Sequence, residues 1–250
     1  MMLEIINLVK HYGKKKAVKK ISLSVKPGEI YGFLGHNGAG KTTTIKACTG
    51  LIKPTSGSVK IRGYDIVRQA LEAKQNFGYV PENPYLYNKL TGREFLDAVS
   101  VIYMKGKRKD VVKRIDELLE EMQMTNDADK LIGTYSHGMR RKITLCAALL
   151  HHPSVIFLDE PTTGLDASSA KVAKDLFRKH ADEGSAVLFT THVLEIAERL
   201  CDRIGILYQG ELIAEGTFEE LKEKYEKPGL TLEEIFLNIT EQNREESNEG

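Results

Sequence analysis

The sequence predicts an α/β fold: a parallel sheet with helices on its faces, a small N-terminal antiparallel sheet and an inserted helical subdomain. Three apolar runs, at residues 155–158, 186–189 and 204–207, each follow a helical pattern. Strands that alternate with helices form crossover units, which are typical of a parallel sheet. With 250 residues, 41% of them hydrophobic, the chain can bury a core as one large domain.

Residues 1–60 alternate between apolar and polar side chains as short strands do. Strands are predicted at residues 3–9 and 18–25, and the Pro27-Gly28 pair marks a turn after the second. A further short strand is expected at residues 59–61. Short alternating strands joined by turns favour a partly antiparallel sheet.

The apolar run at residues 30–34 predicts a strand that is buried on both faces. It leads into a glycine-rich turn and then into a helix from Lys41 toward Thr49. The turn fits the phosphate-binding pattern Gly-x-x-x-x-Gly-Lys-Ser/Thr. The residues assigned to this phosphate loop, with the threonine that follows it, are Gly35, His36, Asn37, Gly38, Ala39, Gly40, Lys41, Thr42 and Thr43.

Glycines let the backbone of the phosphate loop curl, so that successive N–H groups point at phosphate oxygens. The N-terminus of the following helix adds a partial positive charge. Lys41 is predicted to reach the outer phosphates of a nucleotide, and the Thr42 hydroxyl is predicted to bind Mg²⁺. The loop therefore predicts a P-loop NTPase core and leaves open whether it serves a kinase, a GTPase or a motor ATPase.

Two acids, Asp159 and Glu160, end the apolar run at residues 155–158. Nucleotide sites form at the carboxyl ends of parallel strands. Asp159 is expected in the Mg²⁺ shell, whereas Glu160 can polarise a water for in-line attack on the γ-phosphate. Adjacent acids could instead cap a helix, but at the end of a buried strand the pair favours nucleotide hydrolysis.

The pattern changes between about residues 85 and 150. There, residues 111–122 place apolar side chains at three- and four-residue spacing among charges, which predicts helices. The predicted organisation is one domain at 1–220, with a catalytic core at 1–84 and 151–220, a helical insertion at about 85–150, and a C-terminal extension at 221–250. Residues 241–250 have almost nothing to bury and are expected to fray.

Composition excludes several classes of protein. The 36 Lys+Arg against 35 Asp+Glu argue against a non-specific grip on nucleic acid, which needs a basic excess. The longest apolar stretch, residues 143–158, contains Pro153 and is shorter than the ~20 residues that span a bilayer. The N-terminus does not resemble a signal peptide. Three widely spaced cysteines, expected to be packing residues, indicate a reducing compartment: Cys48, Cys146 and Cys201.

Three further motifs resemble the nucleotide-binding domain of ATP-binding cassette (ABC) proteins. Tyr135-Ser136-His137-Gly138-Met139 occupies the place of the family's Leu-Ser-Gly-Gly-Gln signature. Pro161-Thr162-Thr163-Gly164-Leu165-Asp166 resembles the family's dimer-contact loop, and Thr190-Thr191-His192 resembles its switch histidine. The resemblance covers roughly residues 2–220. It implies the ABC ATPase fold and an enzyme that hydrolyses ATP with Mg²⁺.

The resemblance also implies a role for each catalytic residue. Glu160 would be the base, Lys41 and Mg²⁺ would stabilise charge, and His192 would contact the γ-phosphate and position the attacking water. Glu82 stands where the family commonly has a glutamine that senses Mg²⁺ and water. A carboxylate there can still take the metal-water role, although it adds a negative charge beside the phosphates.

Binding residues for ATP follow from the same resemblance. Tyr12 would stack on adenine with Val18 beside the base, although Tyr12 could instead close the small sheet. Ser136 and Gly138 would bind the phosphate of an ATP that the other protomer holds, and Asp166 would couple the two sites. Taken alone, Ser136 before a helix would be an ordinary N-cap.

Departures from the family pattern narrow the expected function. The signature contains His137 and Met139, and Glu82 replaces the glutamine. These features resemble the branch that powers bacterial export systems. The resemblance therefore implies an ATP-hydrolysing subunit that dimerises around two ATP and drives transport, with export as the expected direction.

The implied partners are a second nucleotide-binding subunit, identical or a close paralogue, and separate transmembrane permease subunits at the cytoplasmic face of the membrane. No nucleic-acid partner is expected. A basic run at residues 105–109 is either a solvated helix face or a contact with anionic lipid or an acidic permease segment. Two other functions stay open: an ABC ATPase acting in translation or DNA maintenance, and a nucleotide-dependent regulatory switch.

Overall fold

The computed structural model describes residues 1–224 and 231–248, with the side chains of residues 242–248 excepted. Its strands are β1 (Leu3–Tyr12), β2 (Lys15–Val25), β3 (Ile30–Leu34), β4 (Ser56–Ile61), β5 (Tyr64–Asp65), β6 (Phe77–Val80), β7 (Val155–Asp159), β8 (Ala186–Thr191), β9 (Arg203–Tyr208) and β10 (Glu211–Gly216). Its α-helices are α1 (Lys41–Cys48), α2 (Ala70–Lys74), α3 (Gly92–Tyr103), α4 (Arg108–Glu121), α5 (His137–Leu149), α6 (Ala167–Asp182), α7 (Leu194–Leu200), α8 (Phe218–Lys224) and α9 (Leu232–Asn248).

Six strands form the central sheet in the order β10-β9-β3-β8-β7-β6. Neighbouring strands are parallel except β9 and β10, which are antiparallel. Every residue of β3, β7 and β8 is buried, as their continuous apolar runs predict. The predicted α/β class is confirmed. Because these strands are parallel, their carboxyl ends lie at one edge, where the phosphate loop and the two acids follow them.

The second sheet is antiparallel and has the order β2-β1-β4-β5. The predicted antiparallel β-subdomain is confirmed, but its first two strands are longer than predicted. They form a hairpin in which Tyr12 pairs with Lys15, and Gly13 takes a φ of 57° in the turn. The hairpin extends the strands through polar residues that the hydrophobic alternation alone does not mark.

Helices α3, α4 and α5 occupy the region of the predicted helical insertion. Helix α3 begins with a capping box in which the Thr91 side chain and the Glu94 side chain each accept from the other's backbone N–H. The buried face of α4, the helix predicted at residues 111–122, joins α5 in the core through Val111, Ile115, Leu118 and Leu119. The domain boundaries given above stay a prediction.

The sequence analysis did not predict strands β5, β6 and β10 or helices α2, α8 and α9. Strand β6 contains Gly78, where a Cβ atom would overlap the Ala148 carbonyl oxygen, so the end of α5 lies directly on this strand. Strand β10 mixes charged and apolar residues and has no clear alternation. Helix α9 packs four buried residues against the core: Leu232, Ile235, Phe236 and Ile239.

The ends of the chain bear on two expectations. The backbone of residues 241–248 belongs to α9, and residues 249–250 lie outside the described residues, so the expected fraying stays a prediction. Among the residues that the structure describes, no helix is long and apolar enough to cross a membrane. The apolar stretch at residues 143–158 divides between α5 and β7.

The three cysteines are free, and two of them, Cys48 and Cys146, are fully buried. Burial raises the pKa of the Cys146 thiol to about 12, and it also raises the pKa values of the Cys48 and Cys201 thiols. A thiol with a raised pKa is protonated and unreactive at neutral pH. The cysteines are therefore packing residues, as predicted.

Candidate nucleotide site

The phosphate loop connects β3 to α1 through a backbone that only glycine can adopt at one key position. Gly40 has a φ of 109°, and a Cβ atom there would lie 2.6 Å from the Ala17 carbonyl oxygen. Gly40 is also the N-cap of α1, and no side chain caps this helix. The N–H groups of the first turn of α1 therefore remain available to an anion such as phosphate.

Lys41 is buried at the centre of the loop. Its ammonium donates to the Gly35 carbonyl oxygen at 2.5 Å and lies 3.8 Å from Oε1 of Glu160. Burial lowers the pKa of Lys41, and the nearby carboxylates of Glu160 and Asp159 oppose this shift. A cation in this position lies between the phosphate loop and Glu160, where it can stabilise phosphate charge.

Asp159 ends β7 and binds two hydroxyl groups. Its Oδ1 accepts from the Thr190 hydroxyl at 2.6 Å and from the Thr42 hydroxyl at 3.2 Å. The structure thus brings together Thr42 and Asp159, two of the predicted Mg²⁺ ligands. A hydroxyl and a carboxylate are hard oxygen donors, and Mg²⁺ is bound by one or two carboxylates together with substrate phosphates. The residues present therefore fit Mg²⁺ bound with a nucleotide.

Glu160 has an unusual backbone, with a φ of 50° in the left-handed region. Its N–H bonds both the carbonyl oxygen and the hydroxyl of Thr190, at 3.2 and 3.1 Å. The carboxylate is buried, and its Oε2 lies 3.0 Å from Nδ1 of His192. Backbone strain of this kind costs about 1–3 kcal/mol and clusters at active sites. Thr190 and His192 together fix the orientation of this acid.

Lys41, Thr42, Glu160 and His192 line one cavity of about 220 Å³, and Asp159 lies off its wall, hydrogen-bonded to Thr42. Glu82, the third predicted metal-site residue, lies on its wall with Glu160 and His192. The remaining wall residues are Lys15, Ala17, His36, Asn37, Gly38, Gly40, Thr43 and Thr163. Of these, Lys15, Ala17 and Thr163 were not predicted. A cavity lined by a lysine-bearing phosphate loop and two carboxylates suits a nucleoside triphosphate with its metal ion.

Four residues predicted for the phosphate loop or for the adenine contact lie off this cavity wall: Tyr12, Val18, Gly35 and Ala39. Val18 is fully buried in the core beneath the small sheet, and Ala17 lies on the cavity wall instead, because successive strand residues point to opposite faces. The place of Val18 beside the base stays a prediction. Gly35 and Ala39 shape the loop from beneath, where Gly35 packs against the carbonyl of Leu207 and Ala39 donates to His36.

Tyr12, the fourth, lies at the end of β1, off the wall that the described residues form around the cavity. Its side chain is 48% exposed, and the Lys10 ammonium lies 5.1 Å from the centre of its ring. A half-exposed aromatic ring beside a lysine is accessible to a base. The stacking role of Tyr12 stays a prediction.

The signature and the dimer-contact loop form a separate cluster. Ser136 caps α5 by accepting from the Met139 N–H at 3.2 Å, and Asp166 caps α6 by accepting from the Ser169 N–H at 2.8 Å. A Cβ atom on Gly138 would lie 3.7 Å from the Gly164 carbonyl oxygen, so the two loops adjoin. Within one chain, the structure does not bring Ser136, Gly138 and Asp166 to the described cavity wall.

Arg141 is a site residue that the sequence analysis missed. It is 0% exposed, and its guanidinium donates to the carbonyl oxygens of Pro81 (2.5 Å), Glu82 (2.7 Å), Asp159 (2.9 Å), Glu160 and Pro161 (3.3 Å). The sequence carries no signal for this role, because Arg140-Arg141-Lys142 reads as an exposed basic turn of helix. Arg141 lies behind Asp159 and Glu160 and fixes the backbone that carries them.

Comparison with known proteins gives consistent results. The family model described as ABC transporter matches residues 18–163. The linearmycin resistance ATP-binding protein LnrL of Bacillus subtilis is 43% identical over 222 residues, which is 88% of this chain and 70% of that protein.

Two solved structures resemble this one closely. The ATP-binding subunit of an ABC transporter superposes with a TM-score of 0.91 at 30% identity, covering 96% of this chain and 100% of that one. A dimeric bacterial ABC transporter cassette superposes with a TM-score of 0.80 at 26% identity, covering 86% and 98%. With the phosphate loop, the acids and the histidine in one cavity, this chain belongs to the ABC transporter family and is one of its ATP-hydrolysing nucleotide-binding subunits.

Proposed function

We propose that this chain pairs with a second nucleotide-binding subunit around two ATP molecules, and that hydrolysis drives export through separate transmembrane permease subunits at the cytoplasmic face. One observation carries the pairing. The predicted hydrolytic groups Lys41, Glu160 and His192 share one cavity, whereas Ser136 and Gly138 lie at the N-terminus of α5, off the wall that the described residues form around that cavity. A signature set apart from the cavity of its own chain suits the ATP of a second chain.

The chemistry of hydrolysis follows from the residues around the cavity. Glu160 accepts the proton of the attacking water, and His192 orients its carboxylate through the 3.0 Å contact. Lys41 stabilises the charge that develops on the outer phosphate. Mg²⁺, when bound by Thr42 and Asp159, supplies further neutralisation of phosphate charge. The γ-phosphate is the group that distinguishes ATP from ADP, so its loss is what separates the paired subunits.

Glu160→Gln tests both the base and the pairing. Glutamine preserves the size of the side chain but cannot accept the proton, so we expect ATP binding to persist and hydrolysis to fall by about 10²–10⁴-fold. The closed pair should then accumulate with ATP and Mg²⁺. Size-exclusion chromatography with multi-angle light scattering measures the molecular mass of the complex, and phosphate release measures the rate of ATP hydrolysis.

The exposed acid Glu195, which pairs with Arg199 on α7, supplies the matched control. Glu195→Gln should hydrolyse ATP at the wild-type rate, and it should be monomeric once the ATP has been consumed. Wild-type hydrolysis by Glu160→Gln would contradict the role of the base. A Glu160→Gln chain that binds ATP but stays monomeric would contradict the pairing.

Export is supported by the relative whose name records linearmycin resistance, since resistance to an external compound is gained by moving it outward. This likeness and the signature residues His137 and Met139 support the proposed direction. Transport needs a path through the membrane, and the described residues contain no helix that could provide one. We therefore assign that path to separate permease subunits.

An apolar groove of about 390 Å³ is the surface we assign to the permease. It lies between the central sheet and α3, and its wall includes Leu51, Phe95 and the 99% exposed Tyr85. Lys74 is the charged residue on its described wall. The basic run at residues 105–109 follows Tyr103 at one end. An amphipathic permease helix with an acidic residue near Lys74 matches this groove, and the basic run then faces lipid headgroups.

Leu51 and Leu71 offer a matched pair of exposed leucines. Leu51 lies in the groove and is 61% exposed, whereas Leu71 is 71% exposed on α2 and lies off the groove wall. We expect Leu51→Glu to reduce the permease that co-purifies from solubilised membranes at least tenfold, because a buried unpaired carboxylate is costly. Leu71→Glu should have no effect.

Quantitative mass spectrometry of the captured transmembrane subunit measures the result, with soluble ATPase activity as the check on folding. Equal capture by the two variants would remove the groove from the interface.

A further inference from the structure

The Arg141 guanidinium joins three loops that carry different parts of the reaction. Its carbonyl partners belong to the loop after β6 (Pro81 and Glu82), to the end of β7 (Asp159 and Glu160), and to the loop that leads to Asp166 (Pro161). A guanidinium has N–H donors in a rigid plane, so it can fix several acceptors at once. The relative position of the three loops therefore depends on one side chain.

The same residue is part of the signature helix. Arg141 follows Ser136 by five positions, which is about 7.5 Å along an α-helix. A shift of α5 that accompanies phosphate binding at Ser136 and Gly138 must move the guanidinium too, because it projects from the same rigid element. The carbonyls of Glu82, Asp159 and Glu160 would then move with it.

The electrostatics make this contact hard to replace. Burial lowers the pKa of Arg141, and the carboxylates of Asp159, Glu82 and Glu160 oppose the shift. Arginine stays charged in proteins, so a cation lies buried behind the acids. Burying a charge is unfavourable unless it is fully hydrogen-bonded, and here the carbonyl oxygens satisfy it. Breaking any of these hydrogen bonds would leave a buried polar group unpaired, which is unfavourable. The guanidinium and the three loops that it binds therefore move together.

We propose that Arg141 is a positioning residue that couples the signature of each chain to its own catalytic acid. ATP held by the second subunit, once it binds at Ser136 and Gly138, sets the position of Glu160 and Glu82 through α5 and the Arg141 guanidinium. Each site is then active only when the opposite site is filled. This inference rests on the pairing proposed above and adds the route by which one site controls the other.

The experiment compares Arg141→Lys with Arg140→Lys. Arg140 is the adjacent arginine of α5, and it binds Asn88 and the Ile132 carbonyl away from the acids. Lysine keeps the charge but cannot span all the carbonyls of Arg141. We expect the kcat of Arg141→Lys to fall about 10–100-fold, the range for lost outer-shell partners of a reactive site. Its Hill coefficient for ATP should fall toward that of independent sites.

Three readouts separate positioning from a structural role. The Kd of a fluorescent ATP analogue for the dilute monomer should stay within about twofold of wild type, because the phosphate loop is untouched. Arg140→Lys should keep the wild-type kcat and Hill coefficient. Activities are measured well below the melting temperature of each variant. A parallel loss of monomer binding, or an unchanged kcat and Hill coefficient, would overturn the proposal.

A double-mutant cycle keeps the proposal testable if Arg141→Lys is unstable at assay temperature. Ser136→Ala removes the signature hydroxyl, and its effect on kcat should shrink once Arg141 is already changed, since coupled sites are non-additive. Arg141→Gln, which leaves no unpaired cation buried, takes its place in the cycle in that case. Additive effects would overturn the coupling. Failure of Glu160→Gln to pair would instead refute the pairing itself, so the two failures are distinguishable.

Discussion

The phosphate loop and the acidic cluster face each other across one cavity but are built differently. The loop is one continuous stretch between β3 and α1, and its shape depends on backbone angles such as the φ of 109° at Gly40. The acidic cluster combines Glu82 from beyond β6, Glu160 from the end of β7 and His192 from beyond β8. Local conformation governs the first region, and hydrogen bonds between distant segments govern the second.

Because of this difference, the two regions are sensitive to different substitutions. A single added methyl group can disable the loop, because a backbone carbonyl cannot move aside. The acidic cluster has no such steric restriction, but it loses its geometry when a buried hydrogen-bonding partner is removed. Substitutions that separate the two mechanisms sharpen the comparison.

Gly40→Ala should have the largest effect. The new Cβ would meet the Ala17 carbonyl oxygen at 2.6 Å, on a backbone whose φ of 109° already excludes other residues. Strain of about 3 kcal/mol, the upper value for such positions, corresponds to roughly a 100-fold loss of ATP affinity. Isothermal titration calorimetry with ATP and Mg²⁺ measures the affinity.

Gly13→Ala is the control for backbone angle alone. Its φ is 57°, and a Cβ atom there would have no neighbour within 4 Å. We expect this variant to bind ATP normally. A Gly40→Ala chain with wild-type affinity would show that the loop adjusts, and the contrast between the two regions would fail.

Thr190→Val should have a smaller effect that is confined to the acidic cluster. The Thr190 hydroxyl donates to Asp159 and accepts from the Glu160 N–H, and valine has nearly the same shape without either bond. A lost buried hydrogen bond costs about 1–3 kcal/mol, and about 1.4 kcal/mol corresponds to a tenfold change in rate. We therefore expect kcat to fall about tenfold. ATP affinity without Mg²⁺ should change little.

Thr191→Val is the matched control, because the Thr191 hydroxyl accepts from the Val193 N–H and does not contact the acids. Steady-state kinetics of the two variants at saturating Mg²⁺ decide the outcome. Equal rates for both would mean that Asp159 and Glu160 are positioned without Thr190. Loss of metal-free ATP affinity in Thr190→Val would mean that the two regions are not independent.

The two regions also differ in how well the sequence predicts them. The sequence predicts the loop residue by residue, because glycines at fixed spacing before a lysine and a threonine determine a local shape. Asp159, Glu160 and His192 were found through motifs at strand ends, and the structure brings Glu160 and His192 within 3.0 Å. Arg141 and Ala17 escaped prediction. The neighbours of Arg141 in the sequence are those of an ordinary helix residue. Ala17 and Val18 are adjacent in β2, and only the orientation of that strand decides which of the two side chains faces the cavity.

The sequence by itself determined the α/β class, and it predicts the phosphate loop and the two acids at the end of β7. These depend on short-range properties: hydrophobic period, glycine backbone angles and the charge at strand ends. Only the tertiary structure decided that Arg141 is buried behind the acids, that Thr190 bonds both of them, and that the signature lies apart from the cavity. Such relations join residues that are distant in the chain, and packing rather than local preference sets them.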